Sequence, residues 1–168
     1  IGRITPSGQI TEYPLASTDT QPQSIAVAPD GALWLTESAT GQIARLTTSG
    51  SLTEYQLPSA SSLPSGIATA IDGTVWVTEY AAGKLASVSP AGRVTEYTIP
   101  TPATEPLGIT ITPDGQYALV LNQDSGDMGV IWIPGVTRSV ARSRDRTAAL
   151  FTMIPVGSKP VSAAVVRV

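Results

Sequence analysis

Thr11-Glu12-Tyr13 recurs as Thr53-Glu54-Tyr55 and again as Thr95-Glu96-Tyr97, each copy 42 residues after the last. Asp30-Gly31 recurs on the same interval as Asp72-Gly73 and Asp114-Gly115, as do Gly8, Gly50 and Gly92, and Gly41 and Gly83. Four markers in one register define an internal repeat, and a fixed period of this length restricts the chain to stacked or radial architectures.

The markers divide each repeat into four short strands. Asp-Gly between apolar segments predicts a type I′ hairpin. Gly41 and Gly50, with their copies, fall where the next two reversals must occur. In one full copy the strands are expected at Gly66–Ala70, Thr74–Glu79, Lys84–Ser89 and Arg93–Ile99. The first two strands of a copy are almost continuously apolar, as in Ile25-Ala26-Val27-Ala28 and Leu33-Trp34-Leu35, which suits burial on both faces. The third and fourth alternate more, as in Ile43-Ala44-Arg45-Leu46 and Leu52-Thr53-Glu54-Tyr55. That gradient predicts an all-β fold, a β-propeller of four-stranded antiparallel blades with its outer strands toward solvent. Helical repeats need a 3.6-residue period that is absent, and leucine-rich or β-helical repeats are much shorter.

Composition narrows the chemistry. The chain has 168 residues, no cysteine and no histidine, which removes disulfides, thiolate and imidazole metal sites and every imidazole base. No apolar run approaches the 18 residues of a membrane span. Residues 1–137 carry four basic groups against twelve acidic ones, residues 138–168 six against one, so an acidic body of −8 precedes a basic tail of +5. The sequence pI near 4.8, with no aromatic residue interleaved in Arg138–Arg146, argues against nucleic acid. Scarce lysine and absent cysteine are read as marks of an exported protein, secreted or periplasmic.

The last copy departs from the pattern. Gln116–Asn122 keeps a strand, insertions are expected around Asp124–Met128 and in a basic loop at 136–147, and Met153–Pro160 reads as linker. Val161–Val168 is expected to form a new innermost strand. The chain, 1–168, thus reads as three full blades and one partial one, part of a larger propeller rather than a closed four-bladed ring. Its flat end faces should then be covered by further blades or by a second copy.

The unit Ile1–Pro14, followed by Ala28-Pro29-Asp30-Gly31-Ala32-Leu33-Trp34-Leu35-Thr36-Glu37, resembles the repeat of the virginiamycin B (streptogramin) lyases. The resemblance covers residues 1–115; Ile154–Pro160 is similar to YVTN-type propeller repeats. It implies a seven-bladed propeller that opens a cyclic depsipeptide lactone by magnesium-assisted elimination. The family's catalytic blade carries Glu-Pro-His-Gly-Ile leading into its inner strand, with a glutamate ending the next strand. The matching segments here are Gln21–Ile25, Leu63–Ile67 and Glu105-Pro106-Leu107-Gly108-Ile109. The third keeps the glutamate but has Leu107 for the histidine, and counting by 42 puts Leu121 where Glu37 and Glu79 end the other second strands. No copy holds the whole set, so no catalytic residue is assigned.

Glu37, Glu79 and Glu105 are the candidate ligand-binding residues. Glu37 and Glu79 are expected near one another on one face, where two carboxylates could hold a hard cation. The plainer reading makes them solvated strand-end charges or partners of Arg45 and Lys84, with no metal. Asp30, Asp72 and Asp114 are explained by turns, and Trp34, Trp76 and the three repeat tyrosines by blade packing. Arg138, Arg142, Arg144 and Arg146 could dock an anionic surface or fold back on the acidic body. The expected function is a non-catalytic, exported binding scaffold without a cofactor, taking a small molecule or protein on a propeller face. The alternative is a streptogramin lyase-like enzyme, magnesium-dependent, whose histidine lies outside this chain.

Overall fold

A two-stranded ribbon and three four-stranded sheets follow one another in the computed structural model, which describes residues 1–100, 104–124 and 126–133 and the backbone of 151–155. The ribbon pairs β1 (Gly2–Ile4) with β2 (Ile10–Glu12). The first sheet is β3 (Pro22–Val27), β4 (Leu33–Glu37), β5 (Gln42–Leu46) and β6 (Leu52–Gln56). The second is β7 (Pro64–Thr69), β8 (Val75–Glu79), β9 (Lys84–Val88) and β10 (Val94–Thr98). The third is β11 (Pro106–Ile111), β12 (Tyr117–Asn122), β13 (Asp127–Trp132) and β14 (Phe151–Pro155). Each sheet is an antiparallel meander in chain order, and the first strands β3, β7 and β11 lie side by side from sheet to sheet. These are propeller blades, and the described residues contain no helix. The basic loop at 136–147 and the strand expected at Val161–Val168 lie outside the described residues.

The Asp-Gly hairpins form where expected but by another turn. Gly31 and Gly73 have φ of 80° and 84°, whereas Asp30 and Asp72 do not reach positive φ. Gly31 N donates to Ala28 O and Ala28 N to Ala32 O, the pattern of a three-residue loop with a type I turn and a left-handed glycine. Asp30 Oδ1 accepts from Ala32 N and Asp72 Oδ1 from Thr74 N, so the aspartates brace their own turns.

The third blade carries one extra residue in this turn. Thr112 N donates to Tyr117 O, where Ala70 N donates to Thr74 O, so Gln116 lengthens the loop. Positions from there through β13 are displaced by one. The residue opposite Pro106 is Asn122, as Glu37 is opposite Pro22 and Glu79 opposite Pro64. Asn122, not Leu121, therefore ends the third blade's second strand. Asp124–Met128 is no insertion but the ordinary turn into β13, and Met153–Pro155 belong to strand β14 rather than to a linker.

The core lies in the seams between blades. Trp34, Ile43 and Leu57 of the first blade pack with Ile67, Val75, Val77, Ala86 and Val88 of the second. Ala70, Trp76, Leu85 and Ile99 pack in turn with Ala118, Val120, Ile131 and Ile133. The repeat tyrosines pack as expected: Tyr55 stacks on Trp34 and Tyr97 on Trp76, ring centroids 5.3 Å apart in both. The repeat glutamates hold the linkers, Glu54 accepting from Ala16 N and Glu96 from Ser59 N. At the first blade Ile25 and Val27 are 55% and 64% exposed, whereas of their counterparts Ile67 is buried and Thr69, Ile109 and Ile111 are half-buried.

Candidate functional site

One end of each blade, where the first strand begins and the second ends, is built from the same parts three times. A buried hydroxyl residue (Thr20, Ser62, Thr104) is followed by a residue at positive φ (Gln21 48°, Leu63 49°, Glu105 42°) and then by proline. Left-handed φ in a non-glycine residue is unfavourable, and more so before proline. What holds it is a pair of backbone bonds. The carbonyls of Leu63 and Ser62 accept from Tyr80 N and Ala81 N; those of Gln21 and Thr20, and of Glu105 and Thr104, do the same in their blades. This clamp joins the segment leading into each blade to its second turn and sets the side chains of Gln21, Leu63 and Glu105 at one end.

Past the proline each first strand bulges, between Pro22 and Ile25, Pro64 and Ile67, and Pro106 and Gly108. Thr36 and Thr78 fill the first two bulges. Thr36 Oγ1 accepts from Ser24 N and donates to Ser65 O of the next blade. Thr78 Oγ1 accepts from Gly66 N and donates to Leu107 O. The inner strands approach so closely there that a Cβ on Gly66 would lie 2.6 Å from Leu107 O.

Glu105 is half-buried, and its carboxylate accepts a 2.7 Å hydrogen bond from Tyr80 of the preceding blade. That bond raises the Tyr80 phenol above its usual range. Leu107 stands two residues on with no polar group to offer. The motif-matched glutamate is thus occupied by a phenol, and its neighbour is apolar.

Glu37 and Glu79 are neither solvated nor ion-paired. Both are 0% exposed, and no carboxylate oxygen of either makes a hydrogen bond. Arg45 pairs with Asp30 instead, and Lys84 with Glu96 at 2.8 Å. Burial raises the Glu37 carboxyl, with the charge of Glu54 adding to it. Burial likewise pushes Glu79 up to about 7, reinforced by the charge of Glu96 and opposed by that of Lys84. Burial would raise Glu96 also, but hydrogen bonds from Lys84 and Ser59 hold it below its usual value. The charges acting on Glu37 and Glu79 come from their own blades, and neither carboxylate acts on the other. In the third blade Asn122 Nδ2 donates to Asp127 Oδ1 at 2.7 Å.

Magnesium, which the sequence resemblance implies, does not fit these residues. No group of three or more acidic side chains converges among the described residues, and the ammonium of Lys84 already holds Glu96. Sequence reasoning missed Tyr80, Asn122 and the Thr20, Ser62 and Thr104 series, though that series does recur every 42 residues. No described helix is long and apolar enough to cross a membrane.

The sequence model of the virginiamycin B lyase family matches residues 1–151. Among curated protein sequences none matches the chain significantly. The chain is similar to the virginiamycin B lyase of Staphylococcus aureus, with 31% identity and a TM-score of 0.82 over 96% of this chain and 51% of that one. A catalytically inactive histidine-to-alanine variant of the S. aureus lyase, with quinupristin, gives 32% identity and a TM-score of 0.80 over 95% and 49%. The periplasmic gluconolactonase of Pseudomonas aeruginosa shares the fold at 17% identity, with a TM-score of 0.67 over 94% and 54%. The chain spans about half the length of these relatives.

Proposed function

Because the chain belongs to the virginiamycin B lyase family, we propose its function from what it keeps of that family's machinery and what it lacks. It serves as a non-catalytic binding scaffold, blades that present a ligand-binding end without the groups to transform what binds. The observation that carries this reading is the Tyr80–Glu105 hydrogen bond beside Leu107. In the one segment matching the family's catalytic motif, the carboxylate is engaged by a phenol and the imidazole position is a leucine. The chain has no histidine elsewhere, so no imidazole in it can serve as general acid or base. The S. aureus lyase loses activity when one histidine becomes alanine. Export to the periplasm or beyond is part of the same proposal and rests on composition alone.

A second reading, a lyase-like enzyme drawing its histidine from residues beyond these 168, is favoured by the 31% identity to a lyase twice as long. An assay run on two proteins, the 168-residue chain and a longer one that supplies the missing histidine, separates the two. The 168-residue chain is incubated with quinupristin, with and without magnesium, and intact cyclic substrate is followed by mass spectrometry. The scaffold reading expects no loss above buffer; loss above buffer overturns it. The enzyme reading expects opening only when the chain is supplied within a longer protein containing the missing histidine.

A further inference from the structure

The repeat lets one blade show what another is shaped to hold. In the first blade Asp30 Oδ1 accepts from Ala32 N, and its second oxygen, Oδ2, takes the guanidinium of Arg45. Arg45 stands opposite Trp34, whose ring stacks on Tyr55. In the second blade Asp72 Oδ1 accepts from Thr74 N in the same way, and Trp76 stacks on Tyr97. The residue opposite Trp76 is Ser87, however, 42 positions after Arg45 and too short to reach the aspartate. A cavity of about 180 Å³ remains, lined among others by Asp72, Trp76, Ser87, Arg93, Tyr97 and Ile133. Asp72 Oδ2 has no partner among the described residues, and Arg93 makes no ion pair there.

The geometry points to this cavity as a binding site for a guanidinium group, supplied by a peptide arginine or by a small guanidinium compound. The unpaired carboxylate oxygen provides the charge-assisted acceptor. The stacked Trp76–Tyr97 wall provides an aromatic surface that a planar cation favours over a compact ammonium. Ile133 of the third blade supplies an apolar side. The site lies in the outer seam of blades two and three, whereas Glu105 and Tyr80 lie at the end where the first strands begin. It is therefore separate from the surface assigned above.

The test follows amide shifts of Asp72, Ser87 and Tyr97 by NMR while the chain is titrated with methylguanidinium, N-acetyl-arginine methylamide or N-acetyl-lysine methylamide. Saturable shifts with the two guanidinium compounds and much weaker ones with the lysine derivative are expected. Tighter binding of the arginine derivative would assign the site to a peptide partner, and equal binding to a small guanidinium compound. Asp72→Asn should weaken binding about tenfold or more, the loss of one charge-assisted contact. Ser87→Arg, which restores the first blade's arrangement, should abolish binding and raise the melting temperature. Asp72 is an exposed turn residue, so its variant keeps the test open should Ser87→Arg fail to fold. The proposal is overturned by an absence of saturable shifts, by shifts that survive Asp72→Asn, or by equal binding of the lysine derivative. It is equally overturned if binding occurs only in Arg93→Ser protein, which would show that Arg93 fills the cavity itself.

Discussion

Glu79 and Lys84 stand opposite one another across the β8–β9 ladder, yet the Lys84 ammonium turns to Glu96 and leaves Glu79 without a hydrogen bond. A buried carboxyl in that position is stable only with its proton on, which is why burial carries it to about 7 from an ordinary 4.5.

The first prediction concerns pH. Folded Glu79 holds its proton between about pH 4.5 and 7 while the unfolded chain has lost it, so folding takes up a proton and stability falls as pH rises through that window. Below 4.5 both states are protonated; above 7 the cost is complete, at most about 3 kcal/mol. Glu37 contributes with the same sign. Glu96, held low by Lys84, acts oppositely and loses its contribution as pH falls. Comparison with Glu79→Gln isolates the Glu79 part. The variant should match the parent near pH 4.5 and exceed it in urea denaturation at pH 8. Equal stability at both pH values would refute this account.

Lys84→Gln, which gives the second blade the residue found at Gln42 in the first, should destabilise the chain at pH 7. The ammonium donates to both Glu96 and Ser59, so the loss reaches the linker between the blades as well as the ion pair. The difference should shrink as pH falls below the ordinary carboxylate range, because Glu96, held low by Lys84, takes up its proton only there. Chemical denaturation across that range measures both effects.

At Gly66 the added Cβ of alanine would meet backbone, Leu107 O at 2.6 Å and Ile109 N at 3.1 Å. Backbone cannot turn aside as a side chain can. Gly66→Ala should cost about 2 kcal/mol or more through forced separation of two inner strands, whereas Gly2→Ala, with nothing within 4 Å, should be neutral. Thermal melts of the two variants beside the parent suffice.

Exposed Ile25 and Val27 on β3 form an apolar face of the kind that draws proteins together. The 168-residue chain should therefore associate in solution, and Ile25→Ser with Val27→Ser should reduce the association. Light scattering giving a monodisperse mass near 17.4 kDa for the parent would contradict this.

The blades were legible because their punctuation is local. Asp30, Gly31 and the turn they make involve five consecutive residues, and the packing role of the tyrosines and tryptophans follows from their recurrence at one strand position. The phase of the third blade was not, because Gln116 adds a residue inside a turn that still reads Asp-Gly; counting by 42 then lands on Leu121 instead of Asn122. Positive φ at Gln21, Leu63 and Glu105 was hidden as well, since nothing in those side chains favours it and the clamp that imposes it comes from residues 17 to 19 positions away. The burial of Glu37 and Glu79 is a tertiary event that strand-end position does not disclose.

The hydroxyls of Thr36 and Thr78 each belong to two blades at once, closing a bulge in one and gripping the carbonyl of the next. The unit that evolution copied and the unit that holds its shape are consequently out of phase. Excising one 42-residue copy would sever a grip on either side, so overlapping pairs of blades, not single copies, are the smallest pieces that could be moved intact into another ring. At the third blade the equivalent position is Leu121, which has no hydroxyl with which to grip. A graft placed after that blade would need threonine restored there before it could be held in the same way.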